Sequence, residues 1–116
     1  MNSDLVAINL SEKEYEKSKE ALQYGALTIT TLYRVLIKAG LDEMNESPEL
    51  IFRFDREKII DKTTYKTKTV RLDRQQYKAM EDICLRTPFS MSALAKYFIM
   101  PKVDEIVENK KWNINV

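Results

Sequence analysis

The side chains that most often carry out catalysis are scarce in this sequence, and their spacing forms no catalytic set. The chain has 116 residues and no histidine, which removes the commonest general base and the commonest zinc ligand. Carboxylates such as Glu12 and Glu14 lie in patterns typical of helix caps and exposed helix surfaces. The sequence shows no glycine-rich phosphate loop, metal-ligand spacing or nucleophile paired with a base. We therefore predict a protein that is not an enzyme, with no cofactor, no metal site and no small-molecule substrate.

Composition predicts one compact domain spanning residues 1–116. Hydrophobic residues make up 44% of the chain and charged residues 32%, which is enough apolar material for a core. The formal net charge is only +1, so composition alone does not indicate a nucleic-acid partner. If the chain binds nucleic acid, its positive charge must be arranged locally.

The sequence also predicts a cytoplasmic protein with no membrane association. No apolar run near Asp4 and Glu12 is long enough for a signal peptide, and no segment elsewhere is long enough to span a bilayer. The single cysteine, Cys84, cannot form an internal disulfide, which fits a reducing compartment.

Two stretches of the sequence align with each other without a gap, with Tyr15 matched to Tyr77. Other identical matches include Leu10 with Leu72, Leu32 with Leu94, Ile37 with Ile99, and Asp42-Glu43 with Asp104-Glu105. The matches keep one register across a strand pattern and two helix patterns, which indicates a tandem repeat rather than chance similarity. We predict a first motif over residues 4–44, a connecting segment over 45–65 and a second motif over 66–110.

Each repeat begins with a predicted strand, over residues 5–10 and 67–72. Apolar and polar residues alternate, so one face carries the apolar side chains and the other the polar ones. Lys68 falls on the apolar face, so a second strand that begins after it is an open alternative.

Two predicted helices follow each strand. Ser11 with Glu14, and Asp73 with Gln76, have the spacing of capping boxes that start the first helices. Thr28 and Ser90 are expected to cap the second helices. The turn before the first of these second helices carries Gly25, a plausible helix C-cap.

Two regions depart from the repeat. Pro101 interrupts the last helix pattern, so we expect a kink or a restart there before the helix ends near Asn109. The connecting segment carries Ile51, Phe52 and Phe54, and we expect it to pack on the body as a strand or as a short helix over residues 58–61.

Strand, capped helix, turn and second capped helix together resemble the ribbon-helix-helix (Arc/MetJ-type) superfamily of DNA-binding proteins. The run Val6-x-Ile8-x-Leu10-Ser11 into a helix is typical of that superfamily, and two copies in register strengthen the resemblance. It implies an α+β, mainly helical fold in which two motifs form an intramolecular pseudo-dimer with a two-stranded antiparallel ribbon. Tandem single-chain forms are a minority, known among viral and conjugative-plasmid proteins.

The resemblance implies that the ribbon enters the major groove of double-stranded DNA and that its outward side chains contact bases. The positions carried over as base contacts are Leu5, Ala7, Asn9, Thr67, Thr69 and Arg71. Arginine suits guanine, asparagine suits adenine and threonine offers a hydroxyl and a methyl. Leu5 and Ala7 depart from the polar pattern and offer contact only to a thymine methyl.

The resemblance also implies that the starts of the second helices hold DNA phosphates, because free N–H groups and the helix dipole favour an anion there. The positions carried over as phosphate contacts are Thr28, Thr30, Thr31, Ser90 and Ser92. Family members often bind side by side, which implies a homodimer or a cooperative assembly on DNA.

The leading functional expectation is a sequence-specific transcription regulator, such as a repressor, with two unlike half-sites. One alternative is an accessory protein that marks a transfer origin in conjugation. Another is an antitoxin-type interaction protein that uses the connecting segment and the tail near Trp112. A further alternative is that one face of the ribbon has lost DNA binding and serves only as a scaffold for the other.

Overall fold

A computed structural model describes residues 4–25, 28–46 and 64–112, which form a mainly helical α+β fold. The order is β1 (Leu5–Leu10), α1 (Glu12–Ala21), a 3₁₀ turn (Leu22–Tyr24), α2 (Ile29–Glu46), β2 (Lys66–Arg71), α3 (Arg74–Arg86) and α4 (Met91–Asn109). Each repeat thus supplies one strand and two helices. The expected extra strand or short helix over 58–61 lies outside the described residues.

The two strands form a two-stranded antiparallel sheet, called the ribbon below. Its register runs from Leu5 opposite Arg71 to Leu10 opposite Lys66. Ala7 lies opposite Thr69 at the centre, and these two residues occupy equivalent positions of the repeat. Alternation along β1 is strict, with every second side chain buried.

β2 begins at Lys66, one residue before the predicted start, so the alternative of a start after Lys68 is wrong. Lys68 is only half-buried and lies opposite Ile8. Its ammonium lies 5.7 Å from the centre of the Tyr15 ring. The aliphatic stem covers apolar surface while the charge stays at the edge, which lets a lysine occupy the inner face of the strand.

The predicted helix starts are confirmed. The Ser11 side chain accepts from the Glu14 N–H while the Glu14 carboxylate accepts from the Ser11 N–H, and Asp73 and Gln76 repeat both bonds. Thr28 Oγ1 accepts from the Thr31 N–H at 3.1 Å, so it caps α2. These caps satisfy backbone donors that helix geometry leaves unpaired, which fixes where each helix begins.

Helix α4 continues through Pro101 and ends at Asn109 as predicted, so of the kink or restart expected at the proline, the restart does not occur. Proline removes the hydrogen bond that its own N–H would donate to the Tyr97 carbonyl. The buried residues on either side of it, Phe98 and Ile99 before and Val103 and Ile106 after, hold the helix in place. Tertiary packing therefore outweighs the local penalty.

The core lies between the inner face of the ribbon and the long helices. α4 packs against α2 and also against β1 and α1 of the first repeat, while α2 packs against β2 and α3 of the second. The inner ribbon residues that form this core are Val6, Ile8, Leu10 and Val70. Each repeat thus completes the core of the other.

The C-terminal end of the described chain returns to the first repeat. Gly25 has a φ of 154° and is the C-cap of the 3₁₀ turn, whereas α1 itself ends with Leu22 as its C-cap. A Cβ on Gly25 would lie 3.1 Å from ring atoms of Trp112, so the indole covers this turn. Within the described ranges, no helix combines the length and the apolar character needed to cross a bilayer.

Candidate nucleic-acid interface

The six residues expected to contact bases lie together on the outer face of the ribbon. All six are exposed, and they form three cross-strand pairs. The pairs are Leu5 with Arg71, Ala7 with Thr69, and Asn9 with Thr67. The strand alternation therefore places every proposed base contact on one surface, opposite the core.

On this outer face, every side chain of β2 is polar, and Asn9 is the polar residue of β1. Thr67 Oγ1 donates to Asn9 Oδ1 at 3.0 Å, which leaves the two donors of the Asn9 amide nitrogen facing solvent. Arg71 lies opposite Leu5, whose side chain has no hydrogen-bonding group. The face therefore offers a guanidinium, an amide and two hydroxyls, with apolar surface from Leu5 and Ala7.

The start of α4 is attached to the edge of the ribbon. The Ser90 side chain accepts from the Ala93 N–H at 3.1 Å and caps the helix. Ser92 Oγ accepts from the Asn9 N–H at 3.0 Å, so it satisfies a donor on the free edge of β1. The expected phosphate contacts Ser90 and Ser92 thus lie beside the ribbon face.

The start of α2 carries a cluster of threonine hydroxyls. Thr28 Oγ1 lies 2.9 Å from Thr31 Oγ1 and 3.2 Å from Thr30 Oγ1. Thr28 and Thr31 are exposed and Thr30 is half-buried. Because α2 packs against β2, both second helices contact the ribbon, one on each strand's side.

Three lysines surround Tyr15 at the Asn9 end of the ribbon, an arrangement that sequence reasoning missed. The ammonium groups of Lys19, Lys66 and Lys68 lie 4.9, 5.4 and 5.7 Å from the Tyr15 ring centre. The Tyr65 ring lies 6.1 Å from the same ring. We call these five residues the lysine–tyrosine cluster. The sequence placed Lys66 and Lys68 near the strand but gave no signal that α1 would supply the ring.

A buried ion pair holds α4 against α1 behind this end of the ribbon. Lys96 Nζ lies 3.0 Å from Glu14 Oε1, with side-chain exposures of 3% and 12%. The same carboxylate accepts from the Ser11 N–H, so one group joins the α1 cap to α4. The repeat alignment matches Lys96 with Arg34, which is exposed. The repeat therefore gives no indication that Lys96 is buried in an ion pair.

Within the described residues, no group of three His, Cys, Asp or Glu side chains is placed to hold a metal ion. Burial, with a smaller contribution from Glu81, raises the pKa of the Cys84 thiol. A raised pKa favours the neutral thiol over the nucleophilic thiolate.

Comparison with known proteins gives no match: no family model, no curated protein and no solved structure is similar enough to identify a relative.

Proposed function

We propose that this protein is a tandem ribbon-helix-helix regulator that binds double-stranded DNA by inserting its ribbon into the major groove. The observation that carries the proposal is the single exposed ribbon face on which Asn9, Thr67, Thr69 and Arg71 lie together. A two-stranded ribbon fits the major groove, and these side chain types match the hydrogen-bonding groups on base edges there.

Two structural features support an intramolecular pseudo-dimer. The ribbon register is centred on Ala7 and Thr69, which are equivalent in the repeat, so a local two-fold axis passing between them would exchange the two strands. The same two-fold axis would exchange the helices, because α4 packs against β1 and α1 while α2 packs against β2 and α3. This exchange of partners between the repeats is what an intramolecular pair of motifs would produce, which supports the pseudo-dimer.

The second helices support the proposed docking. Their capped N-termini, at Thr28 and Ser90, place hydroxyl groups at the positive end of a helix dipole. Ser90 only accepts, from the Ala93 N–H, whereas Thr28 donates its hydroxyl hydrogen to Thr31 Oγ1. Ser92 holds the start of α4 against the ribbon edge at Asn9. Phosphates on either side of the groove are the anions that such positions would bind.

A conjugation accessory protein would use the same face, and only the genomic position of its site would differ. The antitoxin alternative draws no support from Trp112, because that side chain packs on Gly25 within the chain. The apolar segment around Ile51–Phe54 lies outside the described residues.

Fluorescence anisotropy tests the proposal. The full chain is titrated into a labelled duplex from immediately upstream of its own gene, with a scrambled duplex of equal composition as the control. We expect tighter binding to the native duplex, and an affinity that falls as salt rises because bound phosphates release counterions.

Three variants separate base readout from charge. Arg71→Ala should remove the preference for the native duplex, and Arg71→Lys should keep the charge but lose most of the preference, because lysine lacks the planar fork. Lys38→Ala removes an exposed cation from the middle of α2 and should leave the preference unchanged. Equal binding to both duplexes would move the target elsewhere, as at a transfer origin. Absence of binding at low salt would overturn DNA binding.

A further inference from the structure

We propose that the chain binds a non-palindromic DNA site in one orientation, which rests on the proposed function because the same ribbon face reads the site. Arg71 contacts a guanine at one end of the ribbon and Asn9 contacts an adenine at the other. Lys66 and Lys68 contact backbone phosphates beyond the adenine end only.

The two ends of the ribbon present different chemistry at equivalent positions. The repeat alignment matches Asn9 with Arg71 and Leu5 with Thr67. Symmetric recognition would need the same donor at both ends, but one end has a guanidinium beside Leu5 and the other an amide beside Thr67. A guanidinium fits the O6 and N7 atoms of guanine, and an amide fits the N6 and N7 atoms of adenine.

The hydrogen bond at the Asn9 end orients its amide for adenine. Thr67 Oγ1 donates to Asn9 Oδ1, which directs the amide oxygen across the ribbon towards β2. The amide nitrogen remains free to donate to adenine N7, and the second lone pair of the oxygen remains free to accept from N6–H. Leu5 leaves the Arg71 guanidinium without a tether from the opposite strand, so its fork can align with guanine.

The charge around the ribbon also differs between its two ends. At the Asn9 end, Lys66 and Lys68 lie beside Tyr15, and within the described residues no carboxylate lies within 4 Å of either ammonium. Their equivalents at the Arg71 end are Asp4 and Val6, and Asp4 lies 3.4 Å from Arg74. The third lysine of the cluster adds little net charge, because Lys19 is paired with Glu16 at 3.1 Å.

The register also sets the spacing of the two bases. Arg71 lies four positions along β2 from Thr67, the partner of Asn9. At about 3.3 Å per residue, the two reading groups are about 13 Å apart along the ribbon. With a rise of about 3.4 Å per base pair, the guanine and the adenine should be about four base pairs apart.

Selection of duplexes from a random pool by the full chain, followed by hydroxyl-radical footprinting, tests the orientation. The expected motif is non-palindromic, with a guanine and an adenine about four base pairs apart and protection that extends farther beyond the adenine. Replacing the guanine should weaken binding of the unaltered chain by about 10- to 100-fold, and should have little effect on Arg71→Ala.

Two variants, each checked for folding by circular dichroism, make the test specific. Exchanging the ends with Asn9→Arg and Arg71→Asn should keep the two bases but move the extended protection beyond the guanine. Lys66→Ala with Lys68→Ala should keep the motif, abolish the extension and lower the slope of log affinity against log salt concentration by about two.

The outcomes separate this inference from the proposed function. A palindromic motif, a symmetric footprint, or protection that stays beyond the adenine after the exchange would overturn the single orientation while DNA binding stands. Failure to retain any duplex would overturn both.

Discussion

Tyr33 is the largest polar side chain in the core, and its hydroxyl is fully enclosed. It lies 2.5 Å from Ser18 Oγ, whose hydroxyl donates to the Glu14 carbonyl at 2.9 Å. The equivalent positions in the second repeat carry Met80 and Ala95, which are also buried. The first repeat thus combines the small Ser18 with the large Tyr33, and the second combines the large Met80 with the small Ala95. The combined side-chain volume is therefore similar in the two repeats.

Alkaline pH should destabilise the protein through Tyr33. Burial raises the pKa of Tyr33 from its ordinary value of 10.0 to about 12. The unfolded chain therefore ionises this phenol first, and stability that is complete below pH 10 is lost as the pH rises towards 12. The loss should be about 2–3 kcal/mol in the free energy of unfolding, measured by urea denaturation across this range. Tyr33→Phe should remove most of this pH dependence while costing about 0.5–1.5 kcal/mol at neutral pH. An unchanged pH dependence in that variant would show that another group is responsible.

Gly40 lies where α2 and α4 approach most closely, so we expect Gly40→Ala to destabilise the protein. A Cβ there would lie 2.4 Å from Phe98 Cδ1 and 2.6 Å from Phe98 Cγ. Alanine gains up to about 1 kcal/mol of helix propensity, but overpacking costs typically about 1–3 kcal/mol, so the clash should prevail. Thermal denaturation should show a lower midpoint. A higher midpoint in the variant would mean that the helices can separate without loss.

At the scale of elements, the Lys96–Glu14 ion pair should determine how firmly α4 is held against α1. Lys96→Met leaves the Glu14 carboxylate largely buried without its cation, which we expect to cost about 3–5 kcal/mol in the free energy of unfolding. Adding Glu14→Gln should recover most of this loss, because an amide is the capping partner that Gln76 already provides in the second repeat. Denaturant unfolding of both single variants and the double variant measures the coupling. Additive losses would show that the two side chains do not interact.

The elements differ in how far the sequence predicts them. Strand alternation and the caps at Ser11, Asp73 and Ser90 depend on neighbouring residues, so the local pattern is sufficient. A kink or a restart was expected at Pro101, and the restart does not occur because packing on both sides of the proline outweighs the lost hydrogen bond. Contacts such as Ser92 with Asn9 join residues far apart in sequence, and no local pattern encodes them.

In the candidate site too, the sequence predicts what a local pattern sets and misses contacts between residues far apart in the chain. The period of two places Asn9, Thr67, Thr69 and Arg71 on one face, and the structure brings them together there. The lysine–tyrosine cluster was missed because Tyr15 comes from α1 while Lys66 and Lys68 come from β2. That the face binds DNA stays a prediction.

At the scale of the whole molecule, the interlocked repeats should unfold as one unit. α4 covers β1, α2 covers β2, and Trp112 of the second repeat packs on Gly25 of the first. Neither repeat can keep its core when the other unfolds, which favours an all-or-none transition. Urea unfolding followed by the fluorescence of Trp112 and by far-ultraviolet circular dichroism should give coincident curves. Two separated transitions would show that the repeats are independently stable.

Nuclear magnetic resonance tests most directly whether the outer face of the ribbon contacts DNA. Backbone amide shifts of the full chain would be recorded during titration with the duplex from upstream of its gene. We predict the largest changes in residues 5–9 and 67–71, with smaller changes at the helix starts near Thr28 and Ser90. Shift changes confined to the outer surfaces of α1 and α3, with no change in the ribbon amide shifts, would show that the ribbon is not the DNA-binding surface.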